Sequence, residues 1–495
     1  MAYKTLTDFL TVLEDDGELV RVAVEVDARF EVAEITQRLC ALLNEGQAEG
    51  GPAVFFENVT GSELPLVTNL FGSRRRLCRA FDAESFEEIA QRAAGIVQPH
   101  VPESWFEALK VVPKLTQLAG THPRGVNSGV CQQVVKMGSD VDLTQLPLPT
   151  CWPHDAGPVI SAGQVITKHP ETGVRDVSVA PCIVDEGRSV LVAWDTQGVG
   201  WRNFEAYRRV DLQMPVAIVL GGDPVSFFTA HAPLPPDIDA YRMAGILREQ
   251  PIDLIRCRSI DLEVPADAEI VIEGTITPGD PLVETTGIGQ PTGFAGPDEL
   301  LPRMNASAVT HRANPVCPGV IVGPPPTEIL WLERLTERCL LPFVRLFVPE
   351  ILDIHFPTAG VFRNLVFAKI DKQMPGQARK VMNALWSLPM LSTTKIVIVV
   401  DKDVDVRDED QVWFHVGANV HPGRDVAFWE GPTHTSDHAA PTRGLGYKMG
   451  IDATRKSRDE NHPRAWPELL ESSEEIRDRV SRRWTEYGFG PRDER

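Results

Sequence analysis

Apolar residues open the chain at helical spacing. Leu6, Phe9, Leu10 and Leu13 recur at i, i+3, i+4 and i+7, which predicts an amphipathic helix. Thr5 can cap it with Asp8 three residues on, and Gly17 can end it. Val20, Val22, Val24 and Val26 then alternate with Arg21, Ala23 and Glu25, the pattern of a half-buried strand. The strand-like PAVFFENV and helix-like SFEEIAQRAAGIV follow, so residues 1–118 read as an α/β unit. From 119 to 305 short β-rich runs (ISAGQVITKH, RSVLVAW, PVAIVLGG, EIVIEGTI) sit among Gly and Pro turns, which predicts an antiparallel sheet or barrel. Residues 306–455 return to strand, helix, strand: VIVG, ILWLERLTERCLLPFVRLF, NLVFAKI, QARKVMNALWSL and TKIVIVVD. TKIVIVVD is apolar on both faces, as a central parallel strand should be. Residues 456–495, with ELLESSEEIRDRVSRRW, predict a charged helical tail lying on the surface or on a partner subunit. The whole predicts a mixed α/β (α+β) fold.

Composition narrows the function classes. The 495 residues carry 49 Lys and Arg against 69 Asp and Glu, a formal net charge of −20. That balance opposes binding to nucleic acid or to anionic membranes, both of which need clustered positive charge. No run of about 18 apolar residues offers a membrane span. The first residues place acids where a signal peptide needs an apolar stretch, so a cytoplasmic location is expected. Eight cysteines without a CxxC pair read as reduced thiols.

Four local patterns invite chemistry, and each also has a plainer reading. Asp401, Asp403 and Asp405 sit at calcium-loop spacing, but Val406 and Val412 replace the glycine and glutamate such a loop needs. A solvated acidic loop is expected there. GLGYKMG misses the dinucleotide spacing by one residue. His434 and His438 flank Asp437 at i, i+4, yet prolines at 432 and 441 argue against a helix that would pair them on a metal. Arg74, Arg75 and Arg76 could hold an anion, and a solvated face is the plainer expectation.

Longer blocks carry a resemblance. LQMPVAIVLGGDP (212–224), RSIDLEVPADAEIVIEGTITPGD (258–280) and GLGYKMGIDAT (444–454) resemble the UbiD family of decarboxylases, as do TLTDFLTVLEDDGELVRV, NLFGSRRRL, VTHRANP, VPEILDIHFP and QARKVMNALWS. The resemblance runs in order along nearly the whole chain. It implies an N-terminal α/β domain, a central flavin-binding split β-barrel, and a C-terminal α/β domain with a terminal oligomerisation helix. It implies reversible, non-oxidative (de)carboxylation of an aromatic or α,β-unsaturated carboxylic acid. Prenylated FMN is the implied cofactor, held with manganese and potassium, in a homodimer or hexamer.

The family's chemistry-bearing positions fall on altered residues. The segment like RNxGxYR falls on RDVSVAP (175–181), which puts Asp176 at a metal-ligand position and Pro181 at that of the catalytic arginine. Gln197 stands at the metal-binding His position and Ala240 at the third ligand position. Of the two family acids, one falls on Thr285 beside Glu284 and the other on Gln290; a later arginine position is Pro324. Met214, Pro215, Ser178, Val179 and Lys448 match cofactor-pocket positions. Three readings follow. In the first, a carboxy-lyase uses Glu284 as acid–base residue, with Arg175 or Arg202 anchoring the carboxylate beside Gln290. In the second, a catalytically degenerate subunit assembles with an active paralogue. In the third, an enzyme of this fold works with another cofactor or none, through His and Asp side chains.

Overall fold

The computed structural model describes residues 3, 5–41, 50–97, 120–234, 238–361 and 363–489. The expected boundary at 118/119 lies outside them. The opening helix, Leu6–Asp15, buries Leu6, Phe9, Leu10 and Leu13, and Thr5 accepts the Asp8 N–H at its start. The following strand is shorter than its alternation predicts. It spans Leu19–Val22, and Val24 is exposed. Beyond Val22 the Asn58 side chain donates to the Ala23 carbonyl and takes the place of a ladder partner.

Leu19–Val22, Ala53–Phe56 and Leu66–Thr68 build the N-terminal sheet, and its fourth strand is Cys317–Gly319, parallel to Leu66–Thr68. A segment expected in the C-terminal region thus completes the first sheet. The middle region forms a nine-stranded sheet around Met214–Leu220, Ile270–Ile276 and Arg303–His311. Arg303–His311 runs across position 305, so the sheet carries the chain past that expected boundary. The C-terminal sheet has five strands, and Ile396–Asp401 lies third, parallel to both neighbours. Burial on both faces explains its unbroken apolar run. The tail helix, Glu474–Arg482, buries none of its residues within the chain. Among the described residues no helix is long and apolar enough to cross a membrane.

The long helix Glu328–Phe347 ties these parts together with acids on its buried side. Glu328 accepts the Phe71 N–H from the N-terminal region at 3.1 Å. Glu337 accepts the Phe356 N–H from the C-terminal region at 2.6 Å. Arg338 bonds Asp353 at 2.6 Å.

The arginine run divides. Arg74 and Arg75 are solvated, but Arg76 is fully buried, because consecutive helical residues point about 100° apart. Its guanidinium meets Glu18 at 2.9 Å and the carbonyls of Gly51 and Leu70 at 2.7 and 3.2 Å. The solvated-face expectation is therefore corrected at this residue.

Two predictions follow from these buried charges. Arg76→Ala leaves buried Glu18 with only the half-exposed Arg75 at 3.3 Å and Ser73 Oγ at 3.2 Å, so urea unfolding is expected to show a loss of about 3–5 kcal/mol. A loss below about 1 kcal/mol would mean the pair behaves like a surface one. Burial pushes the Glu328 carboxyl up to about 7 from its ordinary 4.5, against the pull of the Phe71 N–H and Arg76. Its ionised form costs stability above pH 7, and the cost fades as pH falls toward 4.5. Glu328→Gln should raise the melting temperature at about pH 8 and lose that advantage on acidification. An advantage that grows on acidification would contradict this.

Candidate active site

An open cleft of about 1230 Å³ lies between the middle sheet and the C-terminal region, with wall residues from both. Small-molecule pockets are typically about 300–1,000 Å³, so a cofactor and a substrate have room together. Its walls include Val179, Ile183, Leu301, Ile329, Leu332 and Phe343.

Glu333 is the hub of the polar part. The long helix places its carboxylate 2.8 Å from Arg363 Nε and 3.2 Å from His231 Nε2. His231 ends the helix Pro224–His231, and Arg363 precedes the strand Leu365–Ile370 with a left-handed φ of +62°. His231, Arg363 and His434 line the cleft, and Glu333 stands behind them. Burial works to raise the Glu333 carboxyl, but Arg363, His231 and His434 outweigh it and hold it below the ordinary value. Glu333 is therefore an anion held by the Arg363 guanidinium, with two imidazoles beside it. His434 Nδ1 lies 2.6 Å from Ser436 Oγ and 3.2 Å from the Ser436 backbone nitrogen. Burial pushes the His434 imidazole below its ordinary 6.5; Asp195 opposes this, Arg363 adds to it, and Glu333 opposes it again.

Of the residues singled out from the sequence, Ser178, Val179, Gln197 and Gln290 line the cleft. Gln290 Nε2 turns back to the Ile288 carbonyl at 3.2 Å. Asp176 lies behind Ser178, whose Oγ donates to it at 3.1 Å. Burial pushes the Asp176 carboxyl up to about 6, while Ser178 and the charge of Arg202 pull it down.

The others lie off the lining. Arg175 is committed to Asp239 at 2.6 Å and stacks over the Tyr241 ring, so its guanidinium is spent outside the cleft. Glu284 is exposed on the strand Val283–Thr285, where alternation turns Thr285 to the cleft instead. Met214 is fully buried at the start of its strand and Pro215 is half-buried. Lys448 Nζ donates to the Ser392 carbonyl, and burial lowers the amine to about 8. Ser392 rather than Lys448 faces the cleft.

The donor set is short of ligands for a divalent metal. Ala240 presents a buried methyl group in the first turn of the helix Ala240–Arg248. Its neighbour Asp239 is used by Arg175 and by the Tyr241 N–H at 2.8 Å. Asp176 and Gln197 are left as side-chain oxygen donors, too few for a hard-cation cage. Asp437 takes Lys395 at 2.8 Å and His438 packs on Phe294, so the His434–His438 pattern does not converge on a metal either. Among the described residues no group of three His, Cys, Asp or Glu side chains is placed to hold one. All eight cysteines are free.

Sequence reasoning missed His231, Glu333 and Arg363, which stand in no motif. The available signal was the acids Glu328, Glu333 and Glu337 on an otherwise apolar helix face, where uncompensated charge is costly.

Known proteins match this arrangement along the chain. Three family models fit: the 3-octaprenyl-4-hydroxybenzoate carboxy-lyase N-terminal domain over residues 10–93, the Rift-related domain over 124–325 and the C-terminal domain over 330–453. An uncharacterized protein of Aquifex aeolicus is 39% identical over 98% of this chain and 99% of its own. One from Archaeoglobus fulgidus is 38% identical over the same shares. Among solved structures, the vanillic acid decarboxylase of Sedimentibacter hydroxybenzoicus in closed form superposes with a TM-score of 0.84 at 27% identity, covering 97% of this chain and 99% of that one. The UbiD-class enzyme HmfF from Pelotomaculum thermopropionicum in complex with FMN gives 0.78 at 29% identity, covering 96% and 98%. The nine-stranded middle sheet, the cleft beside it and these end-to-end matches place the chain in the UbiD family of carboxy-lyases.

Proposed function

We propose that the protein is a carboxy-lyase that reversibly removes CO2 from an aromatic or α,β-unsaturated carboxylic acid without net oxidation. One observation carries the reading: buried Glu333 holds a guanidinium and an imidazole at the wall of an apolar cleft. Arg363 has the planar fork that binds a carboxylate. When CO2 leaves, the carbon keeps an electron pair and takes a proton, which His434 Nε2 delivers; in the reverse direction the same nitrogen receives it. The apolar walls exclude competing water. Prenylated FMN, when bound, supplies the electron sink that such acids need. Ser178, Val179 and Gln197 would hold it from the cleft wall, with Met214, Pro215 and Lys448 in the layer behind. A cytoplasmic homodimer or hexamer fits this reading.

A second reading, a degenerate subunit assembled with an active paralogue, is favoured by Ala240 at a family metal position. Co-purification of a second UbiD-like chain from the native host would support it over the first.

Activity is tested by isotope exchange. Co-expressed with a flavin prenyltransferase, the protein is expected to move ¹³C-bicarbonate into the carboxyl group of at least one acid from a panel of benzoic and cinnamic acids. Arg363→Ala should cost about 100-fold or more in kcat/KM. No exchange with any acid, while a UbiD enzyme run in parallel exchanges, sinks the first reading.

The pH profile tests the proton donor. Decarboxylation needs His434 protonated, so kcat should fall as pH rises through a value below 6.5. Glu333→Gln removes a charge that favours the imidazolium, so this limb should move to lower pH. A move to higher pH would reject the assignment.

A further inference from the structure

A smaller cavity of about 40 Å³ lies beside the cleft, and all the surface it presents is apolar. Packed interiors leave few voids larger than a water molecule, so its position calls for a reason. The helix Glu328–Phe347 supplies one wall through Thr336, Cys339, Leu340 and Phe343, at i, i+3, i+4 and i+7. Pro342 interrupts the helix ladder at this wall. The helix Pro224–His231 supplies another through Phe228 and Thr229. Thr229 Oγ1 turns away to the Val225 and Ser226 carbonyls at 3.2 and 3.1 Å. The Thr336 hydroxyl is buried without a hydrogen-bond partner among the described residues, yet it adds no polar surface to the cavity.

Two features join the cavity to the cleft. Ala232, Pro233, Leu234, Phe343 and Met390 face both spaces, so a single layer of apolar groups divides them. Met390 is unbranched and rearranges at little cost. The charged hub also stands on the same two helices. Glu333 precedes Thr336 by three residues, and His231 follows Phe228 by three, a spacing that shares a helix face. Thr336 and Leu340 therefore lie about 5–10 Å along the helix axis from Glu333. That is the span of an aromatic ring, so an acid whose carboxylate meets Arg363 brings its far end to the dividing layer.

Volume decides what fits behind that layer. A cavity of about 150 Å³ takes a benzene ring, and one water has a share of about 30 Å³ in the liquid. The space of about 40 Å³ holds a group of one or two carbons and no ring.

We propose that this cavity is a specificity subsite for a methyl or ethyl substituent at the end of the substrate opposite its carboxyl group, with Leu234 and Met390 moving aside to admit it. The inference rests on the carboxy-lyase reading and deepens it, naming alkyl-substituted aromatic or unsaturated acids as the substrate class.

The test uses the full chain co-expressed with a flavin prenyltransferase. Calorimetry measures the binding of benzoic and cinnamic acids bearing hydrogen, methyl, ethyl, tert-butyl or hydroxyl at ring position 4, and ¹³C-bicarbonate exchange measures turnover of the same acids. In the series that binds more tightly, the 4-ethyl acid should bind about tenfold tighter than the unsubstituted one, with a like gain in kcat/KM. The 4-tert-butyl acid should lose that gain, because its branched group exceeds the space. Ala93 faces the cavity and is not among the cleft walls. Ala93→Val fills the cavity from behind, so the ethyl preference should fall about tenfold while the melting temperature holds. Equal binding of the 4-ethyl and unsubstituted acids marks the cavity as a packing void and overturns the inference, and exchange of either acid then leaves the carboxy-lyase reading standing. An ethyl preference that survives Ala93→Val overturns it as well. A preference for the 4-hydroxy acid that Thr336→Val abolishes overturns the apolar assignment. An ethyl preference in binding that Ala93→Val removes, with no exchange of any acid, supports the subsite and overturns the carboxy-lyase reading. Failure of every acid to bind overturns both.

Discussion

The Glu333 side chain is 5% exposed, and it tolerates that burial because Arg363 and His231 both reach it. An ionised carboxylate in a dry interior is costly unless paired and hydrogen-bonded. The two partners come from different regions: one ends a helix of the middle region, the other precedes a strand of the C-terminal sheet. The cleft between those regions thus has a charged fastening at its wall. The same contacts that relieve Glu333 also fix Arg363 and His231 at the cleft wall.

The cleft has two polar ends of different character. At one, His434 carries an exchangeable proton whose hold is set by burial, Asp195, Arg363 and Glu333. At the other, Gly198 and Val199 open a helix onto the cleft beside Gln197 and Arg202. Asp195 belongs to both. Its oxygens shape the approach to Gly198, and its charge acts on His434.

Local pattern was a reliable guide where burial is one-sided or complete. The spacing of Leu6, Phe9, Leu10 and Leu13 and the apolar run of Ile396–Asp401 translate directly into a helix face and a central strand. Val24 shows the limit, since alternation marks a face without saying whether another strand will pair with it. Arg76 shows another, because three adjacent arginines look alike until helix geometry separates them. Ser178, Val179, Gln197 and Gln290 were placed at the cleft by alignment of long blocks. Arg175 and Glu284 were expected at the site as well, but a salt bridge to Asp239 and strand alternation hold them off the cleft lining. His231, Glu333 and Arg363 meet only in three dimensions, and no spacing announces them.

The pairing of Cys317–Gly319 with Leu66–Thr68 has a consequence for biosynthesis. As the chain leaves the ribosome, the first three strands can assemble while the edge of Leu66–Thr68 still waits for its neighbour. That neighbour emerges only after every strand of the middle sheet has been made. An unpaired edge is a template for wrong pairings. The N-terminal sheet is thus begun first but closed only after the middle sheet has been made, and a nascent chain halted in the middle region would display that open edge to its surroundings.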